Sequence, residues 1–156
     1  MILRPGDRAP DFRVPDQFGS TLHLAEVLRR SAVILVFFPF AFSPVCGDEV
    51  SALDDLRQSL ESESLPVEII TMSVDSKYTL AAWSEEREIG LDLGSDFWPH
   101  GDVAQSYGVF DADHGVAERG VFVISRTGTI VTSRQVARTE TRDFSVDVAQ
   151  ARALRG

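Results

Sequence analysis

The longest uninterrupted hydrophobic segment of the chain is residues 32–38, which has the length of a β-strand. Its β-branched and aromatic side chains are typical of a central strand buried on both faces. The segment ends at Pro39. Beyond residue 46, hydrophobic residues at spacings of three, three and four predict one face of an amphipathic helix. They are Val50, Leu53, Leu56 and Leu60. Cys46 is therefore expected at a junction of strand, loop and helix.

The rest of the chain alternates between strand and helix patterns. Residues 16–20 have turn composition and predict a β-hairpin near the N-terminus. Further strands are predicted at residues 67–74, 120–124 and 129–132, and helices at 77–88, 103–107 and 143–154. Asp143 is expected to cap the last helix. A β-α-β unit followed by a ββα unit predicts one α/β domain over residues 1–156, with a thioredoxin-like central mixed sheet flanked by helices.

Composition and charge narrow the classes of function. The chain has 156 residues, 44% of them hydrophobic and 25% charged, which is typical of a globular domain that folds alone. Its formal net charge of -9 opposes binding to nucleic acid or to anionic membranes. No apolar run approaches the roughly 20 residues of a membrane helix, and none of signal-peptide length begins the sequence. We therefore expect a cytoplasmic enzyme.

Cys46 is the only cysteine, so an intramolecular disulfide or a Cys-based zinc site is excluded. His23, His100 and His114 are too widely separated to suggest a metal site, and we expect neither metal nor cofactor. Free cysteine is often a buried packing residue. At a helix N-terminus, however, unpaired N–H groups and the helix dipole favour the nucleophilic thiolate. Position alone leaves both interpretations open.

The residues before Cys46 distinguish the two interpretations. Pro39, Ser43 and Cys46 form the pattern P-x-x-x-S-x-x-C. The sequence resembles the peroxiredoxins of the AhpC/TSA family, whose active-site signature is P-x-x-x-[T/S]-x-x-C, and in particular the one-cysteine alkyl hydroperoxide reductase E type. Further matching segments are residues 6–12 (GDRAPDF), 95–101 (SDFWPHG), 107–110 (YGVF) and 118–124 (ERGVFVI).

The resemblance assigns roles around the cysteine. It implies that Cys46 is the peroxidatic cysteine and that Arg119 approaches the sulfur from the sheet, although its position alone would suggest an exposed arginine. Ser43 is expected to donate a hydrogen bond to the thiolate and then to peroxide, or to cap the helix; the family more often has Thr here. Pro39 ends the strand and positions the loop. Glu49, expected in the first helical turn, is interpreted as holding Arg119 or another arginine.

Aromatic residues suggest either a substrate entrance or an interface. Phe37, Phe38, Phe40 and Phe42 could line an entrance for alkyl peroxides, but a division between the core and a partner subunit is favoured. The family commonly dimerises, so we expect a homodimer. Its contact residues would include Phe40, Phe42, Phe97 and Trp98. Trp98 and His100 have an alternative interpretation as turn and core residues.

These expectations define a thiol-dependent peroxidase. Its substrates would be hydrogen peroxide and organic hydroperoxides, with peroxynitrite as a further candidate. Cys46 would become sulfenic acid, and an external thiol or a thioredoxin- or mycoredoxin-like protein would reduce it, because the chain has no second cysteine. Two alternative functions are compatible with a lone reactive cysteine. One is a cysteine hydrolase with His100 or His114 as base; the other is a peroxide sensor or thioredoxin-like binding module without turnover.

Overall fold

The computed structural model describes residues 1–154 and contains a central five-stranded sheet. Its strands are β3 (Ala32–Phe37), β4 (Val67–Ser73), β5 (Asp92–Ser95), β8 (Arg119–Ile124) and β9 (Ile130–Val136). They are arranged in the order β5-β4-β3-β8-β9. Strand β3 pairs parallel with β4 and antiparallel with β8, so the sheet is mixed.

Short strands and helices complete the structure. Strands β1 (Arg13–Pro15) and β2 (Thr21–His23) form the predicted N-terminal hairpin, and β6 (Phe110–Asp111) pairs with β7 (Val116–Ala117). The helices are α1 (Leu24–Val27), α2 (Pro44–Ser62), α3 (Lys77–Arg87), α4 (Asp102–Ser106) and α5 (Ser145–Ala153). Among residues 1–154, no helix combines the length and apolar character needed to cross a membrane.

Both faces of the sheet are covered, as the apolar run of β3 predicts. Val33, Leu35 and Phe37 belong to one hydrophobic cluster, together with residues of the hairpin, α1 and α4. The alternate residues Ile34 and Val36 belong to the other, together with residues of α2, α3 and α5. Because successive side chains of a strand point to opposite faces, β3 is the shared centre of both cores. The predicted thioredoxin-like α/β fold is confirmed.

The structure differs from the sequence prediction at several element boundaries. Helix α2 begins at Pro44, because a proline at the first helical position has a suitable φ and loses no hydrogen bond. Helix α5 begins at Ser145 with Phe144 as N-cap, so the predicted acid caps the helix from one position before the N-cap. Asp143 lies one residue earlier, where its Oδ1 accepts the Ser145 N–H at 2.9 Å. Strands β5, β6 and β7 and helix α1 were not predicted.

Candidate active site

Cys46 is the third residue of α2 and is only 3% exposed. Its side chain belongs to the core cluster on the α2 face of the sheet, together with Phe38, Val50 and Trp83. The cysteine therefore lies in the first helical turn, as predicted, where backbone N–H groups lack intrahelical partners. Burial alone would fit a packing cysteine, so the charged groups around it determine what it can do.

The loop that leads from β3 into α2 is held by a buried proline and an aspartate. Pro39 follows the end of β3 and is buried. Two residues later, the Ala41 N–H donates to Asp75 Oδ2 at 2.8 Å, and the Ser73 hydroxyl donates to the same oxygen at 2.8 Å. Phe42 has a φ of 68°, which is uncommon for a residue with a side chain. The chain thus turns sharply just before the helix that carries Cys46.

Ser43 is the N-cap residue of α2, with φ -74° and ψ 138°. Its hydroxyl makes no capping hydrogen bond, although the residue type and backbone conformation are both suited to one. The side chain is partly buried and forms no hydrogen bond with any of residues 1–154. The hydroxyl therefore remains available to a ligand, and its predicted donation to sulfur or peroxide stays a prediction.

Glu49 is a buried carboxylate that contacts two buried arginines. It is 3% exposed and lies in the second turn of α2, so its predicted place in the first turn is wrong because the helix begins at Pro44. Glu49 Oε1 is ion-paired with Arg119 Nη2. Glu49 Oε2 accepts hydrogen bonds from the backbone N and the Nε of Arg142, both at 2.9 Å. The structure thus brings Glu49 and Arg119 together and adds Arg142.

Arg142 connects this cluster to the sheet. Its Nη1 donates to the Phe37 carbonyl at 3.0 Å and to the Gly120 carbonyl at 3.3 Å, and these residues lie in the adjacent strands β3 and β8. Sequence reasoning missed Arg142 because it lies in an irregular polar segment before α5, with no local pattern to mark it. Its contact with Glu49 spans 93 positions of the sequence. Asp75 was also missed, because no local pattern in the sequence marks its contact with the loop before Cys46.

The charges of this cluster influence one another. Burial opposes ionisation of Glu49, but the hydrogen bonds and charge of Arg142, with a contact from Arg119, outweigh it and hold the pKa of Glu49 below its ordinary value. Burial lowers the pKa of Arg142, and the Glu49 carboxylate opposes that shift. A negative charge at Cys46 acts on Arg142 in the same direction as Glu49. Arg142 is therefore within electrostatic range of the cysteine.

Arg119 is 1% exposed, so the interpretation of its position as a surface site is wrong. In β8, every second residue from Arg119 onward is Val121 and then Val123, and both valines belong to the core cluster of Cys46. Alternation along a strand therefore places Arg119 on the same face of the sheet as the cysteine. Its Nη1 donates to the carbonyls of residues 137, 138 and 140, in the segment that follows β9.

Two donors of Arg119 have no hydrogen-bond acceptor among residues 1–154. These are Nε and Nη2; Nη2 contacts Glu49 as an ion pair but without hydrogen-bond geometry. A buried donor without an acceptor is costly, and more so when it is charged. The Arg119 guanidinium is therefore equipped to donate to an anion or a polar oxygen that enters the site.

The aromatic residues divide between core and surface. Phe37 and Phe38 are buried, whereas Phe40 and Phe42 are about half exposed. Trp98 is 81% exposed, so its interpretation as a core residue is wrong.

His100 is exposed in the same turn and hydrogen-bonds to the Gly115 carbonyl at 2.6 Å. The other candidate base, His114, forms a hydrogen bond through its Nδ1 with Asp111 Oδ2 at 2.8 Å. Neither histidine forms a hydrogen bond with Cys46, which removes the geometric basis for a cysteine hydrolase.

A cysteine at the start of a helix, on a sheet face that also carries buried arginines, defines a thiol-based oxidoreductase with a thioredoxin-like fold. Residues 5–133 match the AhpC/TSA family. The chain is 39% identical over 143 residues to alkyl hydroperoxide reductase E of Mycobacterium tuberculosis, which covers 91% of this chain and 92% of that protein. It is 36% identical over 138 residues to a putative peroxiredoxin of Synechocystis, over 83% of this chain and 67% of that protein.

Solved structures give the same result. The crystal structure of peroxidoxin BcpB from Mycobacterium tuberculosis matches with a TM-score of 0.85 and 28% identity, over 99% of each chain. AhpC from Enterococcus faecalis matches with a TM-score of 0.86 and 25% identity, over 98% of this chain and 92% of that one. The chain therefore belongs to the AhpC/TSA family of peroxiredoxins, the thiol-dependent peroxidases.

Proposed function

We propose that Cys46 is the peroxidatic nucleophile of this peroxidase and that Arg119 is its principal electrostatic partner. The observation that carries the proposal is the buried Arg119 guanidinium, which lies on the sheet face of Cys46 and whose Nε has no hydrogen-bond acceptor among residues 1–154. The charge of Arg119 would stabilise the thiolate. Its Nε–H, which has no acceptor among residues 1–154, would stabilise the negative charge that develops on oxygen as the peroxide bond breaks.

The first half-reaction transfers one oxygen atom to sulfur. The Cys46 thiolate attacks the terminal peroxide oxygen, an S–O bond forms as the O–O bond breaks, and the departing oxygen leaves as alcohol or water after taking a proton. Cys46 becomes sulfenic acid. The unpartnered hydroxyl of Ser43 would donate a hydrogen bond to the Cys46 sulfur or to the peroxide. Pro39 would hold the loop between β3 and α2 in place. Glu49 and Arg142 are positioning residues, because their contacts fix Arg119 and the ends of β3 and β8.

The second half-reaction needs a thiol from another molecule, since Cys46 is the only cysteine. The substrates proposed are hydrogen peroxide, organic hydroperoxides and peroxynitrite, and the reductant is an external thiol or a thioredoxin- or mycoredoxin-like protein. Reduction by thiols requires a reducing compartment, which agrees with the proposal of a cytoplasmic location. The sulfenate would form a mixed disulfide with the first thiol, and a second thiol would release Cys46.

A homodimer is proposed on the basis of exposed aromatic surface. The side chains concerned are all exposed by about half or more: Phe40, Phe42, Phe97 and Trp98. Phe97 and Trp98 line a predominantly apolar groove together with Pro15 and Tyr78. Exposed apolar surface of this kind is typical of interaction sites, and aromatic residues are enriched in interfaces.

The direct test of the proposal is peroxide consumption by Cys46→Ser under thiol-linked turnover. The variant keeps the size of the side chain but removes the nucleophile, so we expect consumption to fall to the background rate. Ser59→Ala, at an exposed position of α2, is the matched control and should retain wild-type turnover. Consumption by Cys46→Ser at the wild-type rate would overturn the proposal. In the wild-type protein, sustained turnover separates a peroxidase from a sensor, which would stop after one equivalent of peroxide.

A further inference from the structure

The guanidinium of Arg87 lies against the backbone of α2 next to Cys46. A Cβ atom added to Gly47 would lie 2.4 Å from Arg87 Cζ and 2.5 Å from Arg87 Nη2, so the guanidinium occupies the space that a side chain would fill. Only glycine permits this approach. Gly47 directly follows Cys46, and consecutive Cα atoms are about 3.8 Å apart. A cationic group is therefore held in the immediate surroundings of the cysteine.

Helix α3 fixes Arg87 in this position. Arg87 lies four residues after Trp83, so the two side chains project from the same side of α3. Trp83 is buried, and its ring packs against Phe38 at 5.3 Å and Phe42 at 6.3 Å between ring centroids. The Arg87 Nη1 also donates to Ser51 Oγ of α2 at 3.3 Å. The tryptophan thus anchors α3 to the loop before Cys46, and the arginine reaches the first turns of α2.

Arg87 has no acidic partner in the part of the chain that the structure describes. It forms no ion pair with any of residues 1–154, and its bond to Ser51 is its one side-chain hydrogen bond there. The exposed carboxylates of Glu88, which follows Arg87, and of Asp48, which follows Gly47, do not pair with it. Guanidinium has five N–H donors in a planar arrangement that matches a carboxylate. Most of its donors are therefore available to a ligand from solution.

The position of Arg87 favours a contact with the reducing thiol over one with the peroxide. The peroxide oxygen must reach the sulfur of a cysteine that is 3% exposed, whereas Arg87 is exposed. While one atom of a larger substrate reacts at the Cys46 sulfur, the rest of that substrate remains outside the buried site. In a thiol derived from cysteine, the carboxylate lies only a few bonds from sulfur, which fits a cation on the residue next to Cys46.

We propose that Arg87, admitted by Gly47, binds the carboxylate of a low-molecular-weight thiol during reduction of Cys46. This inference rests on the proposed role of Cys46. In the step that it assists, the thiol sulfur attacks the sulfenate sulfur of Cys46. The S–S bond forms as the S–O bond breaks, and the hydroxyl group leaves as water with the thiol proton. The thiol sulfur is oxidised and the Cys46 sulfur is reduced.

The experiment measures one turnover of the second half-reaction. Cys46 is oxidised with one equivalent of hydrogen peroxide and mixed with N-acetylcysteine or with its uncharged amide, and mixed disulfide is followed by mass spectrometry after acid quench. Arg87→Gln should slow the reaction with N-acetylcysteine about fivefold, the factor expected for losing one close pair of charges in water. The rate with the amide should change by less than about twofold. Arg87→Lys should recover part of the loss.

A second variant and a control separate binding from loss of structure. Gly47→Ala keeps Arg87 but displaces its guanidinium. It should therefore slow the reaction with N-acetylcysteine more than the reaction with the amide. Arg29→Gln removes an exposed charge before β3, at the end opposite to the Cys46 loop, and should change neither rate. The first half-reaction with linoleic acid hydroperoxide and with its methyl ester tests the other source of a carboxylate. Arg87→Gln should affect these two peroxides equally.

Three results would overturn the inference: equal slowing with both thiols, no slowing with either, or slowing confined to the peroxide that carries a carboxylate. If the wild-type protein showed no oxidised Cys46 after peroxide, the proposed role of Cys46 would fail and this inference with it. If Cys46 were oxidised but Arg87→Gln did not discriminate between the thiols, this inference alone would fail.

Discussion

At the scale of single residues, Glu49 is the centre of the charged cluster. Its carboxylate contacts Arg119 and accepts hydrogen bonds from Arg142, and all three side chains are at most 2% exposed. Burying one carboxylate with two guanidinium groups is costly unless each charge is compensated, and removal of one partner leaves the others uncompensated. The carboxylate is therefore expected to matter for both stability and the geometry of Arg119.

Glu49→Gln should lower the free energy of unfolding by about 3 kcal/mol at pH 7, because it leaves two buried arginines without a counter-charge. The pKa of Glu49 lies below its ordinary value of 4.5 in the folded protein. The stabilisation of the folded protein by ionised Glu49 is therefore fully present above pH 4.5 and is lost as the pH falls through the pKa of the folded state. Urea unfolding of variant and wild type should show a difference that shrinks under acid. A difference that is independent of pH would contradict this account.

Arg119→Ala should slow the reaction with hydrogen peroxide by about 100-fold, the usual effect of removing a donor to a developing oxyanion. Stopped-flow measurement of the first half-reaction tests this directly. Arg29→Ala is a suitable control, since Arg29 is exposed and lies before β3, at the end opposite to the Cys46 loop. If the rate of Arg119→Ala remained within about twofold of the wild-type rate, Arg119 would have no electrostatic role in the reaction.

The residues of the site differ in how far the sequence could predict them. Pro39, Ser43 and Cys46 lie in one short motif, so their proximity follows from the chain itself. Glu49 follows on the same helix. Arg119 could be placed near Cys46 only through the family resemblance, because its strand is distant in sequence. Arg142 had no signal of any kind, since its contact depends on how the segment before α5 folds back across the sheet.

At the scale of elements, strong local patterns predicted the central structure. The apolar runs of β3 and β4 and the helical spacing in α2 are local signals, and the structure contains these elements. Strand β5 has the sequence Asp-Leu-Gly-Ser, which has almost no strand propensity. It is a strand because it pairs parallel with β4, with Thr71 opposite Leu93. Tertiary pairing of this kind cannot be seen in a local pattern.

Helix α4 depends on a buried carboxylate in the segment before it. Asp96 is 3% exposed and accepts hydrogen bonds from the N–H groups of Val103 at 3.0 Å and Ala104 at 2.9 Å. Burial, which outweighs these hydrogen bonds, raises the pKa of Asp96 to about 6. The segment between Asp96 and α4 contains the exposed Trp98. The ionisation of Asp96 is therefore linked to the stability of this region.

Asp96→Asn tests that link through the pH dependence of stability. Because the pKa of Asp96 is raised in the folded protein, protonated Asp96 favours the folded state. This contribution to the free energy of unfolding is complete below pH 3.8 and is lost as the pH rises through about 6. The loss in stability caused by Asp96→Asn should therefore be greater at pH 4.5 than at pH 7.5, by at most about 2–3 kcal/mol. Urea unfolding at both pH values measures it, with the exposed Asp55→Asn as control. A larger loss at pH 7.5 would contradict the assignment.

At the scale of the whole molecule, the chain combines a strong negative charge with a localised aromatic surface. The net charge of -9 opposes non-specific association. Phe97 and Trp98 are exposed on one side of the molecule and line a groove with Tyr78. A dimer that buries these rings would remove the largest exposed side chains from water. The sequence could suggest these contact residues but not their exposure, which depends on the turn between β5 and α4.

Trp98→Glu should convert the proposed dimer to a monomer, because it places a charge where an apolar ring would be buried. Analytical ultracentrifugation over a range of protein concentrations measures the change. Val146→Glu is the control, since Val146 is exposed on α5 and does not line the groove. A wild-type protein that remains monomeric, or a Trp98→Glu variant that dimerises like the wild type, would contradict the proposed interface.

Cys46 is proposed to take one oxygen atom from the peroxide and then to be reduced back to the free thiol by an external thiol, with the oxygen leaving as water. The most direct measurement is mass spectrometry of the intact and digested protein after one equivalent of peroxide and then after excess thiol. We expect one added oxygen at Cys46, followed by a mixed disulfide at the same residue and then recovery of the free thiol. Peroxide consumed while Cys46 remains unmodified throughout would contradict it.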